Sequence, residues 1–317
     1  MHYVQVLLAA ALLGLAGLLV KPLTGEASAL SIAGYRSCFA VAAVLLLWAI
    51  EQRMKGGRVL PLPLVRNQWQ QAAAWCKAVN SIAFATALIH SSTAAAFLLC
   101  NSTPICILVW QLIFERRLPT IWQLACAGVV AVGSILYFQG DPLHGNAVGI
   151  TAGVIGGLSF AGFFYCQGKL AQTEANKASL SGSVILGDLL TIPTAFGLNW
   201  LLLEAFSTNL PASGLKLVLP FSLPTMWAFG LLAVLGVVQS GLAGWLLAKG
   251  QRGIDPILMA FVPTLITLWA PLLTWKYLGE TFVAPGSVLG FILVHAAIVV
   301  ASVYRVRLSI LPGPTKA

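Results

Sequence analysis

The sequence has very little charge, and that scarcity excludes most classes of soluble protein. Only 9% of its 317 residues are charged, whereas an ordinary soluble domain is about 25% charged. Hydrophobic residues make up 59% of the chain, and its mean hydropathy is +0.90. No polar stretch is long enough to form a soluble domain of its own. We therefore expect an integral membrane protein.

Motifs of enzymes and metal sites are also missing from the sequence. It contains no HExxH pair, no Walker phosphate loop and no G-x-S-x-G nucleophile turn. Its six cysteines all lie in apolar segments and form no CxxC pair, so we expect neither a disulfide nor a metal site. We predict that the protein is not an enzyme and uses no cofactor.

Ten apolar segments fill most of the chain, and a bilayer is crossed by a helix of roughly 20 such residues. The predicted spans are 3–20, 29–50, 69–89, 93–114, 120–138, 147–168, 179–203, 224–248, 256–278 and 283–304. The first span has no basic segment before it and no cleavage site, so we expect a retained helix rather than a signal peptide. The predicted fold class is an all-α membrane protein with ten transmembrane helices.

Lys and Arg are distributed unevenly between the two sides that ten spans create. Thirteen of the 18 fall on one side, three fall on the other, and two lie inside helices. The side rich in positive charge faces the cytoplasm. This bias predicts a multi-pass protein of the cell membrane (inner or plasma) with both termini cytoplasmic. It also accounts for the net charge of +9 without a nucleic-acid partner.

The spans form two sets of five that share residues at near-constant offsets. Arg36 in the second span matches Asp188 in the seventh, and Asn80-Ser81 in the third matches Gln239-Ser240 in the eighth. Because five is odd, the second set enters the membrane from the opposite side, as in many transporters. We predict two inverted five-helix repeats, residues 1–140 and 141–317.

Two stretches of the chain resemble a known family. The run from Ser91 to Ile135 resembles an EamA repeat of the drug/metabolite transporter superfamily. The run from Ile254 to Val300 resembles another, with Pro263 and the turn Leu278-Gly279-Glu280. Arg36 also fits the family pattern. The resemblance implies ten helices, an inverted repeat and a central cavity for small organic solutes.

Charged side chains inside the membrane are costly, so they normally face a cavity or a partner. Lys77 lies about eight residues into the third span, roughly 12 Å deep. Asn80, Ser81 and Phe84 follow at helical spacing and share its face, which we interpret as a cavity face. We predict that Lys77 anchors an anionic group of a solute, with Asn80 and Ser81 beside it. The alternative is a buried lysine that pairs with a carboxylate or with helix carbonyls.

Asp188 and Arg36 are the other candidate charges within the spans. Asp188 could pair with Lys77 or Arg36, bind a cationic group of the solute, or carry a proton. Arg36 could gather anionic solute on the outer side, or its long side chain could extend to the outer headgroups.

Five further side chains complete the predicted substrate site, which we place centrally between helices one to four and six to nine. Gln239 supplies an amide, as Asn80 does, and hydrogen bonding between helices is the alternative for both. Asn101 lies just before Pro104, whose freed carbonyls could line a cavity, and simple helix packing is its alternative. Tyr35, Tyr165 and Trp245 could stack on a solute, and packing is the alternative for each.

We predict a secondary transporter, an exporter or exchanger of small organic metabolites such as amino acids, that works by alternating access. Its partners would be the solute and the lipid bilayer, with proton coupling as an option and a monomer or homodimer as the assembly. The alternative function is a non-transporting integral membrane protein or a membrane-embedded enzyme.

The predicted sidedness can be tested with an epitope placed in either long connection. In the connection at 204–222 the epitope should bind antibody on intact cells. In the connection at 51–68 it should bind only after permeabilisation, because the positive charge holds that loop inside. Immunofluorescence with and without detergent measures the difference, and staining of both insertions on intact cells would contradict the topology.

Overall fold

The computed structural model of the protein describes residues 2–54, 67–100, 102–116, 118, 120–139, 146–172, 177–206, 224–250, 261–280, 288–297 and 300. Regular structure in this part of the chain is entirely helical. We number the helices by the ten apolar segments. They are α1 (His2–Gly14, Ala16–Val20 and a 3-10 turn at Lys21–Gly25), α2 (Ala29–Met54), α3 (Gln68–His90), α4 (Thr93–Cys100 and Thr103–Glu115), α5 (Ile121–Gln139), α6 (Ala147–Gln172), α7 (Lys177–Phe206), α8 (Met226–Gly250), α9 (Phe261–Leu278) and α10 (Val288–Ala297).

Each of the ten apolar segments predicted from the sequence overlaps one of these helices. Within the described part of the chain, seven helices, α1–α4 and α6–α8, are long and apolar enough to cross a membrane. The prediction of an all-helical, multi-pass membrane protein is therefore confirmed. The apolar side chains that remain exposed are those expected of surfaces that face lipid.

Two helices are irregular where they approach the centre of the molecule. α4 is interrupted before Pro104, which has no backbone N–H and lies in the first turn of the second part, where no N–H is needed. The hydroxyl of Ser102 donates to the carbonyl of Leu99 at 2.7 Å across this interruption. α8 contains a π-helical stretch, Leu235–Leu242, which includes Gln239. Such stretches are rare and often lie at functional sites.

The helices pack in a definite set of pairs. α3 lies against α6 and α7, and α2 lies between α7 and α8. α1 packs against α8 and α9, while α4 packs against α6 and α9. α5 meets α10 at Gly133, where a Cβ atom would stand 2.9 Å from the carbonyl oxygen of Gly290.

Small residues set the distance between several of these helices. A Cβ atom on Gly236 of α8 would lie 2.4 Å from Phe39 Cβ and 2.5 Å from the Arg36 carbonyl oxygen, both on α2. A Cβ atom on Gly157 of α6 would lie 2.4 Å from the Leu99 carbonyl oxygen, at the interruption of α4. Close backbone approach of this kind is typical of membrane helix packing. The contact at Gly236 holds α2 close to α8 at the level of Arg36.

The contact at Gly236 predicts a specific loss of stability. Gly236→Ala should destabilise the protein by about 1–3 kcal/mol, because the added methyl group has no room against the α2 backbone. Gly230→Ala in the same helix is the matched control, since no atom lies within 4 Å of its added Cβ. Thermal unfolding of the purified variants in detergent measures both. Equal melting temperatures would contradict the packing.

Candidate functional site

A cavity lies at the centre of the helices and contains about 830 Å³ of space between protein atoms, its mouth included. Side chains of α1–α4 and α6–α9 line it, and these are the eight helices between which the sequence places a central site. The polar lining residues are Arg36, Lys77, Asn80, Ser81, Gln167, Gln239 and Ser240.

An ion pair between Lys77 and Asp188 joins α3 to α7 at the cavity wall. Nζ of Lys77 donates to Oδ1 of Asp188. The Asp188 side chain is only 1% exposed, whereas that of Lys77 is 18% exposed and reaches the cavity. Gly187 permits this approach, because a Cβ atom there would lie 2.8 Å from the Lys77 side chain. Of the roles that the sequence left open for Asp188, the structure shows pairing with Lys77.

Arg36 lies in a different situation: it is buried and makes no contact ion pair among the described residues, although the charge of Asp188 acts on it at longer range. Its Nη2 donates to the carbonyl oxygen of Ser81 at 3.3 Å and to the Ser81 hydroxyl. Its Nε has no hydrogen-bond partner in the described part of the chain, and no ion pair to Arg36 is formed there. Arg36 is 5% exposed, so its guanidinium faces the cavity and not the outer headgroups.

The charged side chains at the cavity leave a net positive charge. Arg36 and Lys77 are two cations, and Asp188 is the single carboxylate that accompanies them among the described residues. One of the Asp188 oxygens, Oδ2, is also buried without a hydrogen-bond partner there. The unpaired Oδ2 favours a hydrogen-bond donor, whereas the one positive charge left without compensation favours a group that supplies negative charge, because buried uncompensated charge is costly.

The amides at the wall are partly occupied by contacts between helices. Nδ2 of Asn80 donates to the carbonyl oxygen of Gly156 on α6 at 2.9 Å. The hydroxyl of Ser240 donates to Oε1 of Gln239 at 2.8 Å, within the π-helical stretch. Gln167 was missed by the sequence analysis, although a glutamine in an apolar helix was a usable signal. Its Nε2 donates to the Ser183 hydroxyl at 2.7 Å.

Four phenylalanines contribute to the apolar part of the lining, together with aliphatic side chains: Phe84, which shares the helix face of Lys77, and Phe97, Phe160 and Phe163, which were not predicted as site residues. Phe84 and Phe97 meet edge to face with their centroids 5.0 Å apart. The rings of Phe160 and Phe163 are nearly parallel. The lining of the cavity therefore includes both cationic and aromatic side chains.

Three predicted aromatic residues are not among the side chains that line this cavity. Tyr35 packs edge to face on Phe196, with centroids 5.3 Å apart. The hydroxyl of Tyr165 lies 3.2 Å from Oε1 of Glu115, to which it donates. Nζ of Lys249 lies 3.7 Å from the ring centre of Trp245. For these side chains the structure shows the packing alternative. The remaining predicted residue, Asn101, lies outside the described residues.

The described residues contain no cluster of three or more His, Cys, Asp or Glu side chains that could hold a metal ion. The five cysteines with described side chains are free thiols: Cys38, Cys76, Cys100, Cys106 and Cys166.

The chain matches no protein-family model and no curated protein. A solved structure described only as "Crystal structure of protein" is similar to it, with a TM-score of 0.61 at 14% identity. The similarity covers 96% of this chain and 97% of that one. At this identity it shows a shared fold over nearly the whole chain, and it carries no information about substrate or activity.

The Lys77–Asp188 pair predicts a characteristic mutational cycle. Lys77→Met should destabilise the protein by about 3–5 kcal/mol, because it leaves a fully buried carboxylate without its partner. The double variant Lys77→Met, Asp188→Leu should recover most of that loss, since it removes both charges. Unfolding titrations in detergent give the coupling between the two positions.

Lys249→Met is the matched control, because Lys249 pairs with Glu51 at 2.7 Å near a helix end. Both side chains of that pair are about one-fifth exposed, so its loss leaves no fully buried charge and should cost less than the loss of the partner of Asp188. An equally small effect of Lys77→Met would contradict a buried, stabilising pair.

Proposed function

We propose that this protein is a secondary transporter of small organic metabolites that works by alternating access between two inverted five-helix repeats. The observation that carries the proposal is the central cavity, which is lined by polar side chains of both halves of the chain and beside which Lys77 of the first half pairs with Asp188 of the second. A site at the interface of two repeats is the arrangement that alternating access requires. The resemblance of the sequence to EamA repeats supports the same function.

The packing of the helices supports the inverted repeat. If α1–α5 correspond to α6–α10 in order, the contact of α3 with α6 corresponds to that of α8 with α1. In the same way, α4 on α6 corresponds to α9 on α1, and α3 on α7 to α8 on α2. The contacts of α2 with α7 and of α5 with α10 are unchanged when the two halves are exchanged. All of these contacts occur.

Two ion pairs at corresponding positions join the halves. Nζ of Lys21, at the end of α1, lies 3.1 Å from Oε1 of Glu280, which follows α9. Nζ of Lys169, near the end of α6, lies 2.7 Å from Oε1 of Glu115, which ends α4. We call them the outer and the inner tether, because the alternation of positive charge assigns them to opposite faces. Release of one tether at a time would open one face of the cavity.

The outer tether is part of a wider network. The backbone N–H of Thr93 donates to Glu280 at 3.3 Å, and Nζ of Lys21 also donates to the carbonyl of Ser91 at 2.7 Å. Burial raises the pKa of Glu280, but the charge of Lys21 and these hydrogen bonds outweigh it, so the pKa lies below its ordinary 4.5. A carboxyl with a lowered folded pKa stabilises the protein above its unfolded pKa. The tether is therefore intact at neutral pH and is lost only as the pH falls below about 4.5.

The tethers can be tested with a cysteine reporter in the cavity, Ser240→Cys in a chain whose native cysteines are replaced. Glu280→Gln should raise labelling of this cysteine by an impermeant thiol reagent added outside, since the outer tether loses its charge. Glu115→Gln is the matched variant and should raise labelling from the inside. If both variants change labelling from the same side, the tethers do not act on opposite faces.

Flux through purified protein tests the function itself. Proteoliposomes loaded with a metabolite mixture should release or exchange at least one solute in a saturable manner, measured by mass spectrometry of the outer medium. The control is the Lys77→Met, Asp188→Leu variant, which we expect to fold but to lose transport. Folded protein that moves no solute faster than empty vesicles would favour the alternatives, a non-transporting membrane protein or a membrane-embedded enzyme.

A further inference from the structure

We propose that the cavity selects organic monoanions with an apolar body, whose carboxylate binds Arg36 and whose apolar part lies among the phenylalanines. This inference rests on the proposed function, because it treats the cavity as the substrate site. It narrows the expected substrates from metabolites in general to one charge class.

The preferred charge of the solute follows from the charged side chains that line the cavity. Among the described residues, the cavity is lined by two cations and by no acidic side chain, and Asp188 behind Lys77 balances one of them. One positive charge therefore remains. A solute with a single negative charge restores neutrality, whereas a cation adds to the excess and a dianion reverses it. In a site of low dielectric these differences are large.

The position of the bound anion follows from the donors that are still free. Lys77 already donates to Asp188, which balances its charge, whereas Arg36 uses Nη2 on Ser81 and has a buried Nε without a partner in the described part of the chain. The bonds to Ser81 hold the guanidinium in place on the α3 side, and the contact with Gly236 holds its backbone on the α8 side. A fixed guanidinium with a free donor is suited to a carboxylate, which it binds through charge-assisted hydrogen bonds.

The preference for a solute with an apolar body follows from the phenylalanines in the lining. Phe84, Phe97, Phe160 and Phe163 all line the cavity, and the first two form a compact edge-to-face pair. An apolar or aromatic body placed against these rings leaves water, which contributes favourable free energy in proportion to the buried area. A small anion such as acetate gains the charge contact alone.

Binding of matched probes to the purified protein tests the inference independently of transport. The probes are 4-phenylbutyrate, the alcohol 4-phenylbutanol, the amine 4-phenylbutylamine, the dianion phenylsuccinate and the small anion butyrate, measured by calorimetry at neutral pH. We expect 4-phenylbutyrate to bind at least tenfold more tightly than each of the others. Equal or tighter binding of the amine, the alcohol or the dianion would overturn the inference, and so would no binding of any probe to folded protein.

Two variants locate the anion. Arg36→Gln should weaken binding of 4-phenylbutyrate at least tenfold, and Ser81→Ala, which frees the guanidinium to move, should weaken it several-fold. Arg53→Gln is the matched control, because Arg53 is exposed in the last turn of the same helix and should leave the affinity unchanged. Unchanged affinity in Arg36→Gln and Ser81→Ala would overturn the assignment.

Flux of the same probes separates the inference from the proposed function. Selective binding of 4-phenylbutyrate without any flux in proteoliposomes would overturn transport and leave the charge selection intact. Saturable flux of a cationic solute that is insensitive to Arg36→Gln would overturn the selection and leave transport intact.

Discussion

The ion pair between Lys77 and Asp188 is the interaction on which the rest of the structure depends. Each partner alone would be an uncompensated charge in a low-dielectric interior, at a cost of several kcal/mol. Together they tie α3 in the first half of the chain to α7 in the second. Because Asp188 is used in this way, Arg36 is left with a serine in place of a carboxylate. The electrostatic character of the cavity follows from that one pairing.

Glycine makes these polar contacts geometrically available. Gly187 lets the Lys77 side chain pass against α7, and Gly236 lets α8 approach the backbone of α2 at Arg36. Helices in lipid gain little from the hydrophobic effect between them, so close van der Waals contact at small residues supplies much of the association. The same glycines that bring the helices together therefore also set where the charges lie. The bulky phenylalanines line the space that remains.

Much of the candidate site could be predicted because of the cost of polar groups in a membrane. Lys77, Arg36 and Gln239 stand out in apolar helices, and all three reach the cavity. The aromatic residues could not be predicted in the same way. Phe160 has the same hydropathy whether it faces lipid, a neighbouring helix or a cavity, and Tyr165 looks as suitable for a solute as Phe160 does. Whether such a side chain faces the cavity depends on how its helix is rotated about its own axis, which only the packed structure shows.

The sequence alone determined that the protein is a multi-pass helical membrane protein and which polar residues lie inside the bilayer, because both follow from composition and local periodicity. Its near-constant offsets between two sets of five segments also suggested the repeat. The tertiary structure decided which charge is paired, which is left over and which rings surround the space between them. These depend on contacts between residues far apart in the chain, such as Lys77 with Asp188. No local pattern encodes the distance between two helices, so no local pattern could assign the partner.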